Sequence, residues 1–178
     1  MPNWDAKQQT PLVITNLADC PEFLEPLAQW HHQIWLDTST KFLNSGPEEK
    51  AVLAKDLRER QAKLKDHLSA TPFPSSYLAI HKGQLLGAVS LVKYRREQSS
   101  TELTWISNLF VEEAFRKEGI GAALLTHAIG IAQTLGLQRI YTSTPSLSRF
   151  YEKQGWEIVK HQPLNGNEVT ILSFAIAD

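Results

Sequence analysis

One segment constrains the fold of this 178-residue chain more than any other, and it spans residues 109–122 with the sequence LFVEEAFRKEGIGA. An apolar stretch typical of a strand runs through a basic turn that holds Gly119 and Gly121, and then into the start of a helix. The first N–H groups of a helix have no partner within it, the helix dipole adds partial positive charge, and glycine lets a ligand come close. Arg116 and Lys117 add formal positive charge. The segment therefore predicts a site for an anion such as a pyrophosphate.

Two other phosphate-binding loops fit this segment less well. A Walker loop ends in Gly-Lys-Ser or Gly-Lys-Thr, and neither occurs in the chain. The dinucleotide fingerprint needs a third glycine three residues after Gly121, where the chain has Leu124. A third interpretation, in which Gly119 and Gly121 only shape a tight turn between strand and helix, stays open on these residues alone.

The overall composition is that of an ordinary globular protein, with 42% hydrophobic and 21% charged residues. A length of 178 residues suits one domain, which we expect to cover residues 1–178, with a mainly helical part up to residue 75 and a core from residue 76 onwards. A net charge of -1 creates no field that would gather nucleic acid or an anionic membrane. We expect neither as a partner.

Cysteine and histidine content narrows the chemistry further. Cys20 is the one cysteine, so the sequence excludes an intrachain disulfide and a four-cysteine zinc site. The six histidines show no metal-ligand spacing, and we expect no metal. Residues 1–10 do not resemble a signal peptide, and no apolar run approaches the length of a membrane span. These features favour a cytoplasmic protein.

Helical periodicity dominates the first part of the chain. After a short strand at residues 11–16, the run Asp19, Cys20, Pro21, Glu22 predicts the start of a first helix. Ser45, Gly46, Pro47, Glu48 repeat this signal ahead of a second, longer helix, which ends before the prolines of residues 71–74.

Strand patterns dominate the second part, and one helix within it implies a parallel crossover between its flanking strands. A tight turn at Asn165-Gly166 joins the last two strands. The predicted elements are strands at residues 77–81, 84–94 and 102–111, a helix at 120–135, a strand at 138–143, a short helix from Thr144 to Gly155, and strands at 156–161 and 169–175.

The anion-binding segment resembles the coenzyme loop of the GNAT superfamily of acetyltransferases. In that loop an Arg or Gln is followed by two residues, a Gly, any residue, and then Gly or Ala, and Arg116, Gly119 and Gly121 match it. Residues 105–111 (WISNLFV) resemble the family's fourth strand, and residues 150–156 (FYEKQGW) resemble its tyrosine motif. The resemblance covers about residues 77–160 and is weaker over the first 75, where family members vary in how they build the acceptor site.

The resemblance implies an α/β fold, classed as α+β by some schemes, with a mixed, mostly antiparallel twisted sheet, a central parallel pair of strands and flanking helices. It also implies an N-acetyltransferase with acetyl-coenzyme A as co-substrate. Transfer to a primary amine would be direct, in a ternary complex, because an acetyl-cysteine route would need an activated thiol near the coenzyme and Cys20 lies at the start of the first helix.

Carried over residue by residue, the resemblance implies contacts along the strand, the loop and the second motif. The main chain of Leu109, Phe110 and Val111 would pair with the pantetheine arm, and the N–H near Val111 would face the thioester carbonyl. Thr144, where many members have Asn, and Ser148 would add contacts to the coenzyme. The loop residues that would hold the pyrophosphate are Arg116, Lys117, Glu118, Gly119, Ile120 and Gly121, with Ala122 beginning the helix behind them.

The proton transfers have one candidate acid and two candidate bases. Tyr151 matches the tyrosine that lies near the sulfur and serves as general acid for the leaving thiolate. Glu102 and Glu113 are candidates for the base, which we leave unassigned because water can relay the amine proton.

The acceptor is the part that the sequence defines least. Trp30, Trp35 and Asp37 would offer aromatic walls and a carboxylate to a cationic amine, although Trp30 fits core packing better. We expect a small-molecule amine as the acceptor. A peptide or protein N-acetyltransferase and a catalytically silent acyl-coenzyme A-binding module are the alternatives, and the sequence leaves a homodimer open.

Overall fold

The computed structural model describes residues 11–38, 47–95, 100–164 and 166–177. The start signal at Ser45 and Gly46, the N-terminal residues 1–10 and the turn residue Asn165 lie outside the described residues. In chain order the strands and α-helices are β1 (Val13–Asn16), α1 (Leu24–Thr38), α2 (Pro47–Asp66), β2 (Ser75–His81), β3 (Gln84–Arg95), β4 (Glu102–Val111), α3 (Ile120–Thr134), β5 (Arg139–Thr144), α4 (Ser148–Lys153), β6 (Glu157–Leu164) and β7 (Asn167–Ala175).

The strands form a seven-stranded sheet in the order β1-β2-β3-β4-β5-β7-β6. Neighbouring strands are antiparallel except β4 and β5, which run parallel through the pair Trp105 and Tyr141. The crossover between these two strands is α3, as parallel strands require a long connection. The predicted mixed sheet with a central parallel pair and flanking helices is confirmed.

Alternation along β2 divides the core into two layers, one on each face of the sheet. Tyr77 and Ala79 belong to the cluster that includes Leu124 and Ala128 of α3. Leu78, between them, belongs to the cluster formed with the first two helices. Because successive side chains of a strand point to opposite faces, α3 covers one face and α1 with α2 covers the other.

The entry to α1 differs from the start predicted at Asp19, Cys20, Pro21 and Glu22. The side chain of Asn16 accepts a hydrogen bond from the Ala18 N–H at 2.9 Å, and two short 3-10 turns, Leu17–Asp19 and Pro21–Phe23, precede the helix. Proline at the start of the second turn has no N–H to satisfy, which suits a tight 3-10 start. The helix begins a few residues later than the sequence signal indicates.

An irregularity in β4 positions the site. The register between β3 and β4 shifts near Ser107, and Asn108 adopts φ 52, a left-handed conformation that asparagine tolerates. Beside it, Gly87 of β3 lies so close that a Cβ there would stand 2.9 Å from the Phe110 oxygen and 3.0 Å from Leu124 Cδ1. Glycine therefore allows β3 to approach both β4 and α3 at this point.

Candidate functional site

A cleft of about 550 Å³ opens beside the end of β4, past the bulge at Asn108 and the parallel pair formed with β5. A ligand of cofactor size fits such a volume. The lining residues come from β4, from the loop into α3, from the first turn of α3, from the approach to α4 and from α4 itself. They are Leu109, Phe110, Val111, Phe115, Arg116, Lys117, Gly119, Ile120, Gly121, Ala122, Ser146, Leu147 and Phe150.

The end of β4 presents free main-chain polar groups to this cleft. The N–H of Glu112 donates to the Leu86 oxygen of the neighbouring β3 at 2.8 Å, so the main-chain N–H of Glu112 points toward β3. Because main-chain groups alternate in direction along a strand, the N–H of Val111 points the opposite way, toward the side on which β5 lies. A ligand in the cleft can therefore pair with Val111 as a further strand would.

The first turn of α3 supplies a second set of donors. Gly119 precedes the helix with φ 84, and no side chain caps its N-terminus. The first helical bond runs from the Ala123 N–H to the Gly119 oxygen at 2.9 Å. The N–H groups of Ile120, Gly121 and Ala122 therefore have no acceptor within the helix. Three donors and the positive end of the helix dipole converge on the cleft, which suits a phosphate group.

Arg116 connects the loop to the strand. Its Nε donates to the main-chain oxygen of Val111 at 2.9 Å, and its guanidinium carbon lies 5.6 Å from the centre of the Phe110 ring. Lys117 follows with φ 67, a left-handed conformation that turns the chain toward α3. Both cations line the cleft, so its loop side is electropositive.

Nine of the predicted coenzyme contacts line this cleft: Leu109, Phe110, Val111, Arg116, Lys117, Gly119, Ile120, Gly121 and Ala122. Glu118, Thr144 and Ser148 are not among the lining residues. Thr144 instead accepts the Leu147 N–H at 2.9 Å, so it shapes the turn that places Leu147 and Ser146 in the cleft.

Sequence reasoning missed four lining residues: Phe115, Ser146, Leu147 and Phe150. Phe150 carried a usable signal, because it directly precedes Tyr151 in the tyrosine motif. Phe115 lies within the predicted anion-binding segment, residues 109–122, but was not singled out. Ser146 and Leu147 had no signal, since only the folded chain brings the approach to α4 against β4.

Tyr151 lies behind the cleft wall. It is 4% exposed, and its ring meets Phe150 and Trp156 edge-on with centroids 5.3 and 5.4 Å away. Burial raises the pKa of the Tyr151 hydroxyl, and a hydrogen bond with Thr142 partly opposes that rise. The hydroxyl therefore stays protonated at neutral pH. Tyr151 is not among the lining residues, although its neighbour Phe150 is.

A second cavity of about 380 Å³ lies between α1 and the end of β4. Phe110 and Arg116 line both this cavity and the cleft beside the end of β4, so the two spaces adjoin. Trp30 and Asp37 line the second cavity and Trp35 does not. The ring of Trp35 lies under the Arg60 guanidinium at 5.6 Å. The other lining residues are Gln29, Gln33, Glu112 and Glu113.

The remaining candidates divide between these spaces and other parts of the chain. Glu102 begins β4, pairs with Lys93 at 3.8 Å, and lies at the opposite end of the strand from the cleft. Cys20 is buried, its Sγ donates to the Asn16 oxygen at 3.2 Å, and burial raises its thiol pKa. A thiol with a raised pKa is a poor nucleophile.

Two findings concern metals and membranes. Within the described residues, no group of three or more His, Cys, Asp or Glu side chains could hold a metal ion. In the same part of the chain, no helix has both the length and the apolar character that crossing a membrane requires.

Comparison with known proteins identifies a family. A model of the acetyltransferase (GNAT) family matches residues 27–156. That range holds both cavities described above. A comparison with curated proteins gave no significant match.

Solved structures share the fold over almost the whole chain. A GNAT-family acetyltransferase from Streptococcus pneumoniae is 18% identical with a TM-score of 0.66, covering 94% of this chain and 100% of that one. An aminoglycoside 6'-N-acetyltransferase complexed with coenzyme A is 16% identical with a TM-score of 0.67, covering 93% and 98%. Arabidopsis thaliana Naa50 in complex with a bisubstrate analogue is 20% identical with a TM-score of 0.57, covering 92% and 98%. At these identities the likeness concerns the fold alone.

Proposed function

Because the chain belongs to the acetyltransferase (GNAT) family, we propose that it transfers an acetyl group from acetyl-coenzyme A to a primary amine of a small molecule, by direct attack in a ternary complex. The observation that carries this proposal is the cleft, in which a free strand edge at Val111 and the unpaired N–H groups of α3 lie along one continuous wall. That wall suits a ligand with an amide-bearing arm at one end and a pyrophosphate at the other.

The chain's groups divide the binding between them. The N–H groups of Ile120, Gly121 and Ala122, with the side chain of Lys117, would hold the pyrophosphate. The outward main-chain groups of Leu109 would pair with the pantetheine arm in the manner of an added strand, which leaves the Val111 N–H for the thioester carbonyl. Arg116 would act mainly on the protein, since its Nε already bonds to the Val111 oxygen.

The chemistry needs alignment and charge stabilisation more than activation. The thioester of acetyl-coenzyme A supplies an already activated acyl group. The Val111 N–H would donate to the carbonyl oxygen as negative charge develops there. Tyr151 would protonate the leaving thiolate, and its raised pKa keeps the required proton in place. Because Tyr151 is buried behind Phe150, this step needs the thiolate to reach past that ring.

Two kinds of acceptor have support among the structural neighbours. One neighbour is an aminoglycoside 6'-N-acetyltransferase, and another, Arabidopsis thaliana Naa50, was solved with the bisubstrate analogue CoA-Ac-MVNAL. We favour a small molecule because the second cavity beside the cleft is about 380 Å³, which is at the small end of ligand sites.

The test is thiol release from acetyl-coenzyme A with a panel of polyamines, amino acids, aminoglycosides and short peptides. The proposal predicts turnover with at least one small amine and little with peptides. Turnover with peptides alone would make the protein a peptide N-acetyltransferase. Saturable coenzyme binding without turnover across the panel would identify a silent binding module.

A further inference from the structure

The second cavity, called here the acidic cavity, has a charge opposite to that of the coenzyme cleft. Among the described residues that line it, Asp37, Glu112 and Glu113 are negatively charged and Arg116 is positively charged, so this part of the lining is net negative. The cation's Nε is already bonded to the Val111 oxygen. The acidic cavity therefore repels phosphate-bearing ligands and attracts cationic ones.

The carboxylates of the acidic cavity are available to a ligand. In the part of the chain that the structure describes, neither Glu112 nor Glu113 forms a side-chain hydrogen bond or an ion pair. Asp37 accepts one hydrogen bond, from Gln33 Nε2 at 2.7 Å, which leaves its second oxygen free. Carboxylates grouped in a cavity repel one another, and a ligand with matching positive charge relieves that repulsion.

An aromatic wall completes the acidic cavity. Trp30 and Phe110 lie with ring centroids 4.7 Å apart and planes tilted by 46°, and both line the cavity. Aromatic faces pack against methylene groups and attract ammonium groups. The lining thus combines a surface for an aliphatic chain with carboxylates for its charged end. The Gln29 and Gln33 amides add neutral hydrogen-bonding groups.

The position of the acidic cavity relates it to the proposed reaction. Phe110 and Arg116 separate it from the cleft and line both spaces. A molecule held at Glu112 and Glu113 can therefore extend past Phe110 toward the strand edge where the Val111 N–H points. The length of the molecule between its two ends decides whether one end can reach the strand edge while the other stays at the carboxylates.

We propose that the acidic cavity binds the non-reacting ammonium groups of an acceptor that carries two or more amino groups on an aliphatic chain, a diamine or polyamine. This inference rests on the proposed function. The reacting amine is neutral: its nitrogen forms the C–N bond to the acetyl carbon, the C–S bond breaks, the thiolate takes a proton, and the nitrogen releases one to water. The remote ammonium keeps its charge throughout, held by the carboxylates.

The test compares a diamine with a monoamine of equal chain length. Binding of 1,8-diaminooctane and of octylamine to the protein saturated with coenzyme A is measured by isothermal titration calorimetry. The diamine should bind at least about tenfold tighter, which corresponds to about 1.4 kcal/mol. Equal affinities, or tighter binding of octylamine, would overturn the proposal.

Matched variants test whether the preference for the diamine comes from the acidic cavity. Glu112→Gln/Glu113→Gln should abolish the preference for the diamine, because it removes two charges without changing side-chain size. Glu157→Gln/Glu168→Gln, which removes two exposed carboxylates from β6 and β7, should preserve it. A preference that survives the first pair, or disappears in the second, would contradict the assignment to this cavity.

Separate readouts distinguish this proposal from the proposed function. Coenzyme A affinity and thiol release report on the cleft, whereas the calorimetric preference reports on the acidic cavity. A diamine preference that depends on Glu112 and Glu113, without thiol release from any amine, would sustain the cavity's ligand class and reject the transfer reaction. Thiol release with equal KM for octylamine and 1,8-diaminooctane would sustain the transfer and reject the diamine.

Discussion

Arg116 and Val111 are joined by a hydrogen bond of 2.9 Å from the guanidinium Nε to the main-chain oxygen. The bond ties the cationic loop to the last residue of β4, and it occupies the Val111 carbonyl while leaving the Val111 N–H directed at the cleft. The bond therefore helps to hold the loop before α3 against the strand edge. An arginine is suited to this role because its planar group can bond to the strand and still present its other N–H groups to solvent.

Replacing Arg116 by Lys should weaken coenzyme binding although the charge is kept. Lysine lacks the guanidinium Nε that bonds to the Val111 oxygen, and a hydrogen bond from a charged group contributes roughly 1.5–3 kcal/mol. We expect the Kd for acetyl-coenzyme A to rise by about tenfold or more. The control is Arg58→Lys on the exposed face of α2, which should leave the Kd unchanged. Equal affinities in the two variants would show that only the charge of Arg116 matters.

Tyr151→Phe should separate chemistry from binding. The ring that packs against Phe150 and Trp156 remains, while the hydroxyl proposed as the acid is lost. General acid catalysis contributes about 10²- to 10⁴-fold, and a thiolate is a good leaving group, so kcat should fall toward the lower end of that range. The Kd for the coenzyme should change little. A kcat within about twofold of wild type, with acetyl transfer limiting turnover, would reduce Tyr151 to a packing residue.

The pH dependence of the reaction rate tests the acid role of Tyr151 independently. A general acid works only while protonated, and burial raises the pKa of this hydroxyl above its ordinary value of 10.0. The rate should therefore rise with pH as the acceptor amine loses its proton, and it should not fall again below about pH 10. A descending limb centred near pH 8 would assign the acid role to another group.

His31 should make the protein less stable as the pH falls. It is 5% exposed, its Nε2 has no partner among the described residues, and burial, followed by the nearby Arg60 and His67 charges, lowers its pKa from 6.5 to about 4. Because the unfolded chain takes up the proton first, stability is lost from about pH 7 down to about pH 4 and then levels off. At pH 5 the loss should be roughly 2 kcal/mol, since each pKa unit is worth about 1.4 kcal/mol.

Urea unfolding at pH 7.5 and pH 5.0 measures the total loss, to which His67 and His127 also contribute because burial lowers their pKa values. His31→Leu should reduce the difference by roughly 2 kcal/mol, while His161→Gln, on the exposed β6, should keep the wild-type difference. Asp56 contributes to the pH dependence of stability in a separate, lower pH range. Hydrogen bonds from Arg60 and His32 outweigh its desolvation and lower its pKa, so its contribution is lost only below pH 3.8. An unchanged pH dependence in His31→Leu would show that the imidazole is protonated inside the fold.

The order of the elements could be read from the sequence because each has a clear local pattern. The predicted strand at residues 102–111 and the start of the helix at Ile120 agree with β4 and α3. The bulge at Asn108 could not be predicted, since a left-handed asparagine inside a strand leaves no local signal. The sequence places the start of the short helix at Thr144, whereas the structure has Thr144 in the preceding turn, where it accepts the Leu147 N–H, and α4 begins at Ser148. The acidic cavity was beyond reach, because it joins α1 to residues about 80 positions later.

The central claim is that the coenzyme binds where the first turn of α3 meets β4, and two glycines of that helix test it most directly. A Cβ at Gly121 would face the cleft in ordinary contact, 3.5 Å from Phe150 Cζ and 3.7 Å from Val111 Cγ2, whereas a Cβ at Gly130 would meet no atom of the described residues within 4 Å. Both valine variants should fold, since valine and glycine differ little in helix propensity.

The measurement is a calorimetric titration of acetyl-coenzyme A into wild type, Gly121→Val and Gly130→Val. We predict one-to-one binding to wild type and Gly130→Val, and binding at least about tenfold weaker in Gly121→Val because its methyl groups occupy the space of the pyrophosphate. Equal affinity in all three proteins, or NADH binding to wild type as tightly as acetyl-coenzyme A, would contradict the account.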